Sequence, residues 1–194
     1  MSTDFSLIKN FYKQMVPELR DESWLELQNM FTIRHLRKGD FVSKSGEIVK
    51  QVTFFNNGYG RFYYNIDGKE SVGAFFQKGD YICDYESFLT QKPGLVNIDV
   101  LADSELIELS FDNMQYSYKH FPEFQKFGRV MAEFLYLMLS SRNASLLLKT
   151  PEQRYLDFVS NSPHLLQLVP QYMIASYLGV TPEALSRIRK RLSS

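Results

Sequence analysis

Cysteine is almost absent: 194 residues hold one, Cys83, beside three histidines and one tryptophan. A single thiol closes no internal disulfide and cannot supply the four thiolates of an iron–sulfur cluster or a Cys-rich zinc site. His35, His120 and His164 are scattered, with no His-x-His pair. That spacing offers neither a pair of haem ligands nor the clustered imidazoles of a cupin-type metal enzyme. No metal, cofactor or catalytic residue is therefore expected. An excess of one charge is missing too, because 22 Lys+Arg balance 22 Asp+Glu. Zero net charge excludes a chain that is basic all over, though a local basic patch survives averaging. No run approaches the roughly 18 apolar residues that span a bilayer, and the start, MSTDFSLIKNFYKQMV, lacks the apolar core of a signal peptide. A cytoplasmic protein without membrane contact is the expectation.

What the chain does have is an ordinary core composition. Hydrophobic residues at 44% and charged residues at 23% argue against disorder. Aromatic residues reach 15%, which fits a packed, strand-rich region. From Asp4 to Met30, apolar residues at spacings of three and four (Phe5, Ile8, Phe11, Tyr12, Met15, Leu19) predict short amphipathic helices. From Phe31 to about Phe111, short runs (FTIRHL, QVTFF, RFYYNI, VGAFF, LVNIDVL, ELIELS) alternate with turn residues. Asp67-Gly68 between two of them is a hairpin signal. Many short strands with regular turns predict an antiparallel β-roll.

Beyond Phe121 the period lengthens. Phe127, Met131, Phe134, Met138, Ser141, Ser145 and Leu148 step alternately by four and three, an a/d seam for a partner helix. Pro122 and Pro151 bracket this helix. A second apolar face (Val130, Leu135, Leu137, Leu139, Leu146, Leu147) leaves two readings, a dimer seam, which is favoured, or a helix buried within one monomer. Domains are expected at 1–120 (β-roll with flanking helices), 121–150 (dimerisation helix) and 151–194. In the last, HLLQLV between Pro163 and Pro170 is able to form a short strand.

The C-terminal motif is the sharpest. Ile174, Ala175 and Leu178 form one helix face, Gly179 ends the helix, and Val180 plugs the corner. Thr181-Pro182-Glu183 opens a second helix with an N-cap, a proline in the first turn and an acid. This is helix-turn-helix grammar. Residues 151–194 hold five Lys+Arg against three acids, so positive charge collects here. Thr181, Glu183, Ser186, Arg187, Arg189 and Lys190 are the candidate DNA contacts, with Glu183 accepting from a cytosine amino group and Arg187 donating to guanine. The alternative is a solvated face on a helical hairpin.

These pieces in this order resemble the Crp/Fnr superfamily of bacterial transcription regulators, above all in GDYICDYESFLTQKPGLVNIDVLADSELIELS (79–110) and IASYLGVTPEALSRIRKRL (174–192). The second stretch is similar to members of Bacteroidetes type. The resemblance implies an α+β fold: a cyclic-nucleotide-binding-like jelly roll, a long dimerisation helix and a winged-helix-like reading domain. It implies a homodimer on a near-palindromic operator in double-stranded DNA, RNA polymerase as a partner, and no enzyme activity. Cyclic-nucleotide binders in the family use a Gly-Glu pair and, about a dozen residues on, an Arg that pairs with the phosphate. Here those places hold Cys83-Asp84 and Gly94-Leu95, so cyclic AMP is not expected to bind. An unknown small-molecule effector remains open, in a vestigial pocket lined by Phe62, Asp84, Tyr85, Asn97 and Ser140. Pro182 replaces an Arg common in the family's reading helix, so one DNA contact is lost. Two other readings are a ligand sensor or partner-binding module that has lost DNA binding, and a cupin-like metal enzyme.

Overall fold

A computed structural model describes residues 3–192. Two helices, α1 (Ser6–Met15) and α2 (Asp21–Asn29), precede eight strands: β1 (Thr32–Leu36), β2 (Phe41–Ser43), β3 (Gln51–Asn57), β4 (Tyr59–Ile66), β5 (Lys69–Gln77), β6 (Tyr81–Ile82), β7 (Asn97–Val100) and β8 (Ser104–Ser110). A short α3 (Tyr85–Thr90) interrupts them. The strands form two antiparallel four-stranded sheets, ordered β1-β8-β3-β6 and β2-β7-β4-β5. Between β4 and β5, Asp67 and Gly68 both take positive φ (52° and 80°), the backbone of a tight hairpin turn.

Alternation along β3 shows how the layers stack. Phe55 points between the sheets, onto Ile82, Ile98, Val100 and Leu106. Its neighbour Phe54 points the other way, with Ile107 and Leu109, onto Ile8, Tyr12, Trp24 and Leu27 of the N-terminal helices. Successive side chains on a strand leave from opposite faces, so covering both faces lets apolar residues stand next to one another, as in Phe54-Phe55 and Leu106-Ile107.

Two helices follow the roll. Helix α4 (Phe111–His120) is capped by Ser110, whose hydroxyl accepts from the Asn113 amide (3.2 Å). Helix α5 (Pro122–Leu148) runs for 27 residues. Its first turns join the core: Phe127 is 8% exposed and stacks on Tyr12 at 3.9 Å, and Met131 packs on the same cluster. That corrects the expected seam, in which both residues faced a partner. The apolar surface of the roll and α1 lies beside the start of α5 and takes its a/d face first. Farther along, Phe134, Leu137, Leu147 and Leu148 are exposed among the described residues, the last 82%. The reading of α5 as a helix buried within one monomer therefore fails beyond Met131.

The remainder is helical: α6 (Pro151–Asn161), α7 (Leu165–Leu168), α8 (Gln171–Leu178) and α9 (Pro182–Leu192). Thr150 and Gln153 close a reciprocal capping box on α6, which satisfies two amides otherwise left open at a helix start. HLLQLV folds as the turn of α7, not as a strand, and no strand occurs among the described residues after 110. A lone strand there would leave its N–H and C=O groups without a neighbour, whereas one helical turn puts Leu165 and Val169 together in the core. The winged form expected of the C-terminal domain is thus absent among the described residues.

Candidate nucleic-acid interface and effector site

Helices α8 and α9 meet at a tight turn. Gly179 adopts the left-handed conformation (φ 68°, ψ 38°), and the amides of Gly179 and Val180 return to Ser176 O and Ala175 O, each at 3.0 Å. This closed C-terminal turn needs a residue that tolerates positive φ. The Thr181 hydroxyl then accepts from the Ala184 amide (3.2 Å) and caps α9. Leu185 and Ile188 are buried against Ile174, Ala175 and Leu178. Glu183, Ser186, Arg187 and Lys190 are exposed at spacings that place them on one face. Arg189 is half-buried on a flank, and Arg191 pairs with Glu152 at 2.7 Å. Amide and Thr181 hydroxyl bonding at the helix start holds the Glu183 carboxyl below its ordinary range. The face therefore offers an acceptor at its first turn and cations after it.

Helix α8 also docks on the roll. Ser176 Oγ accepts from the Val72 amide (3.0 Å) and donates to Glu70 O (3.2 Å). Strand β5 is a sheet edge, so these bonds satisfy groups that would otherwise stand open. Met173 packs on Tyr63 and Val72; Tyr177 lies against Phe75, ring centroids 5.6 Å apart.

The loop before β7 is where a cyclic nucleotide's phosphate would be expected. Asp84 is buried and caps α3, accepting from the amides of Ser87 (3.2 Å) and Val96 (3.4 Å). A Cβ on Gly94 would stand 2.2 Å from Asp84 Oδ2. The loop thus closes around its own carboxylate, and the position that would carry a cationic side chain has no room for any side chain. Ser87 adds bonds to Lys92 O (2.6 Å) and from the Val49 amide (3.0 Å).

The five expected pocket residues do not converge. Tyr85 lines an apolar cavity of about 90 Å³ with Tyr12, Tyr81, Cys83 and Met131. Asp84 is sealed in the loop, Asn97 accepts from the Ser45 amide (3.2 Å), and Ser140 faces solvent. Phe62 lines a separate cleft with Met138, Arg142 and Tyr177. Burial pushes the Cys83 thiol well up, with Asp84 adding to it, so the reactive thiolate is disfavoured. Among the described residues no group of three or more His, Cys, Asp or Glu side chains is placed to hold a metal ion, and no helix is long and apolar enough to cross a membrane.

On α5 the expected seam splits. Phe134, Met138, Ser141 and Leu148 are exposed, and Ser145 is half-buried. Met138, Ser141 and Ser145 border the cleft beside α8. Leu137 and Ala144, which lie outside the expected seam, are exposed and fall in line with Val130, Phe134, Ser141 and Leu148 at alternating steps of four and three. A heptad template accepts both registers, so only the side already covered by the roll tells them apart.

Residues 33–119, from β1 to the end of α4, match the family model of the cyclic nucleotide-binding domain. That match takes in nearly all of the two sheets of the β-roll. Most of the chain shares the fold of Crp/Fnr regulators. It is similar in structure to CLP, a c-di-GMP-responsive global regulator of Xanthomonas campestris, with a TM-score of 0.68, 15% identity, and coverage of 90% of this chain and 92% of that one. FixK2 of Bradyrhizobium japonicum gives 0.70 at 20% identity, covering 84% of each chain. A CooA mutant of Carboxydothermus hydrogenoformans gives 0.69 at 19% identity, covering 100% of this chain and 85% of that one. No curated protein matches in sequence. Within the cyclic nucleotide-binding domain, the self-closed Asp84–Gly94 loop is the feature that sequence reasoning caught only by half. The changed residues were visible, but the contact between them was not. Arg142, Arg154 and Ser176 were missed altogether, though an arginine inside the greasy run LMLSSRNASLLL was a signal.

Proposed function

We propose that the protein is a sequence-specific DNA-binding transcription regulator of Crp/Fnr type, a homodimer on a near-palindromic operator that does not need cyclic AMP. The observation that carries this reading is the exposed face of α9, with Glu183, Ser186, Arg187 and Lys190 together on a helix fixed from behind by Leu185 and Ile188. Cations on such a face suit phosphates, and Arg187 suits the paired acceptors of guanine. The bare apolar stripe of α5 supports a second copy of the chain, because a stripe of this length is costly in water. Two copies joined there would present their α9 helices about one DNA turn apart. The Asp84-filled loop supports independence from cyclic AMP, since a bound phosphate would meet a buried carboxylate with no guanidinium to offset it. An effector, RNA polymerase contact and the sign of regulation belong to the same reading but have no residue of their own here.

In vitro selection from random DNA with the ligand-free protein tests it. A two-fold-symmetric consensus is expected. Arg187→Ala should then weaken binding by about 1–3 kcal/mol and relax preference at one base pair per half-site. Loss of affinity equal at every base would demote Arg187 to a phosphate contact. A folded dimer that enriches no sequence would point instead to an effector that DNA binding requires, or to the sensor that has lost DNA binding.

A further inference from the structure

Two arginines that the β-roll covers, Arg61 and Arg34, are neutralised by carboxylates. Arg61 chelates Asp99 (3.0 Å) and Glu70 (2.6 Å), and Arg34 reaches Glu108 (3.3 Å). Arg142 on α5 and Arg154 on α6 differ: neither has a carboxylate within ion-pair distance among the described residues. Both face one cleft of about 600 Å³ between β4–β5, α5, α6 and α8.

The two guanidiniums converge on successive carbonyls at the end of α8. Arg142 stacks on the Tyr177 ring, 4.0 Å from its centroid, and one amine donates to Tyr177 O. Arg154 Nε donates to Leu178 O (2.9 Å), and one of its amines donates to Lys149 O (2.7 Å). These bonds position both groups but use only part of their donors, since each guanidinium carries five N–H bonds. Nor do they cancel the charge. A helix C-terminus is equivalent to about half a negative charge, against two full positive ones. Asp157, the acid lining the cleft, is taken by Lys149 (2.6 Å). Burial lowers the pKa of Arg142; Tyr177 opposes that shift and Arg154 reinforces it.

We propose that this cleft binds a small organic anion, its acid group between Arg142 and Arg154 and its apolar body against Phe62, Met138 and Leu139. Paired guanidinium donors suit carboxylate or phosphate oxygens, and the walls beyond them are apolar side chains. No residue of the Asp84–Val96 loop lines the cleft, so this is not the place where a cyclic phosphate would sit. The acid group would lie beside the carbonyls that precede Gly179, which ties occupancy to the position of the α8–α9 turn. The site stands whether or not α9 reads DNA.

Calorimetric titration of the full chain with 1-naphthoate, 1-naphthyl phosphate and neutral 1-naphthylmethanol tests it. At least one acid should bind saturably, tenfold or more tighter than the alcohol, and weaken as salt rises; the two acids together distinguish carboxylate from phosphate. Arg142→Gln and Arg154→Gln should each cut acid affinity tenfold or more and leave the alcohol unchanged. Where a Gln variant does not fold, Leu139→Trp, which narrows the cleft without touching either arginine, should abolish acid binding. Equal binding of acids and alcohol, no saturable acid binding at millimolar concentration, or folded variants that bind acid like the wild type would each overturn the site. DNA selection plays no part in this titration, so either proposal can fail while the other stands.

Discussion

The two ends of α5 are written in the same alphabet and meet opposite fates. Phe127 near the start is buried and stacked on Tyr12, while Leu147 near the end, no less apolar, is 75% exposed. Periodicity does not separate them; a/d spacing runs through both. What separates them is company. The first turns lie over a surface built by α1, β3 and α4, so burial there is intramolecular. The last turns run past the roll, and their apolar side chains stay exposed. One helix therefore serves monomer stability at one end and, on the reading proposed above, assembly at the other.

That contrast can be broken most sharply at Phe127. Phe127→Ala should cost about 3–5 kcal/mol of stability, read by denaturant unfolding at fixed protein concentration; a loss under about 1 kcal/mol would mean that the start of α5 is not core. Phe134→Glu, seven residues on, should raise the dimer dissociation constant by roughly 30-fold or more while leaving the folded monomer intact. Sedimentation showing an undisturbed dimer would take the exposed end out of the interface.

Gly128 tests the boundary between the two ends. Its Cβ would stand 2.4 Å from the Tyr118 hydroxyl, so Gly128→Ala should destabilise by about 1 kcal/mol despite the helix propensity it gains. A more stable variant would show that Tyr118 yields. The smallest effect belongs to Ser140, exposed on the bare end. There Ser140→Ala should stabilise by about 0.5 kcal/mol through propensity alone, and a clear loss in thermal unfolding would reveal a contact at that position.

Much of the architecture was legible because local chemistry wrote it. Asp67-Gly68 marked the hairpin, Thr181-Pro182 marked the start of α9, and the six β-rich runs each found a strand. Elements without a local mark escaped. Strands β2 and β6 span three and two residues, too few for any period to show. In α4 (FDNMQYSYKH) only Met114 and Ser117 are buried, so no apolar stripe announces a helix. Which residues of α9 lie exposed together was legible nearly whole, Arg189 excepted, because a helix start fixed by its cap also fixes which residues share a face.

By itself the sequence determined the hairpin at Asp67-Gly68, the turn at Gly179 and the start of α9 at Thr181-Pro182. Each is a matter of residues within a few steps of one another, where backbone sterics and spacing decide. Only the tertiary structure decided which side of α5 turned inward. Helical spacing sets the angles between side chains but not the direction of the whole helix, which follows the nearest apolar surface. It also decided that Asp84 would occupy its own loop and that Arg142 and Arg154 would meet at the end of α8. Those contacts join segments that no local rule relates, and they exist because the roll and the C-terminal helices pack against each other.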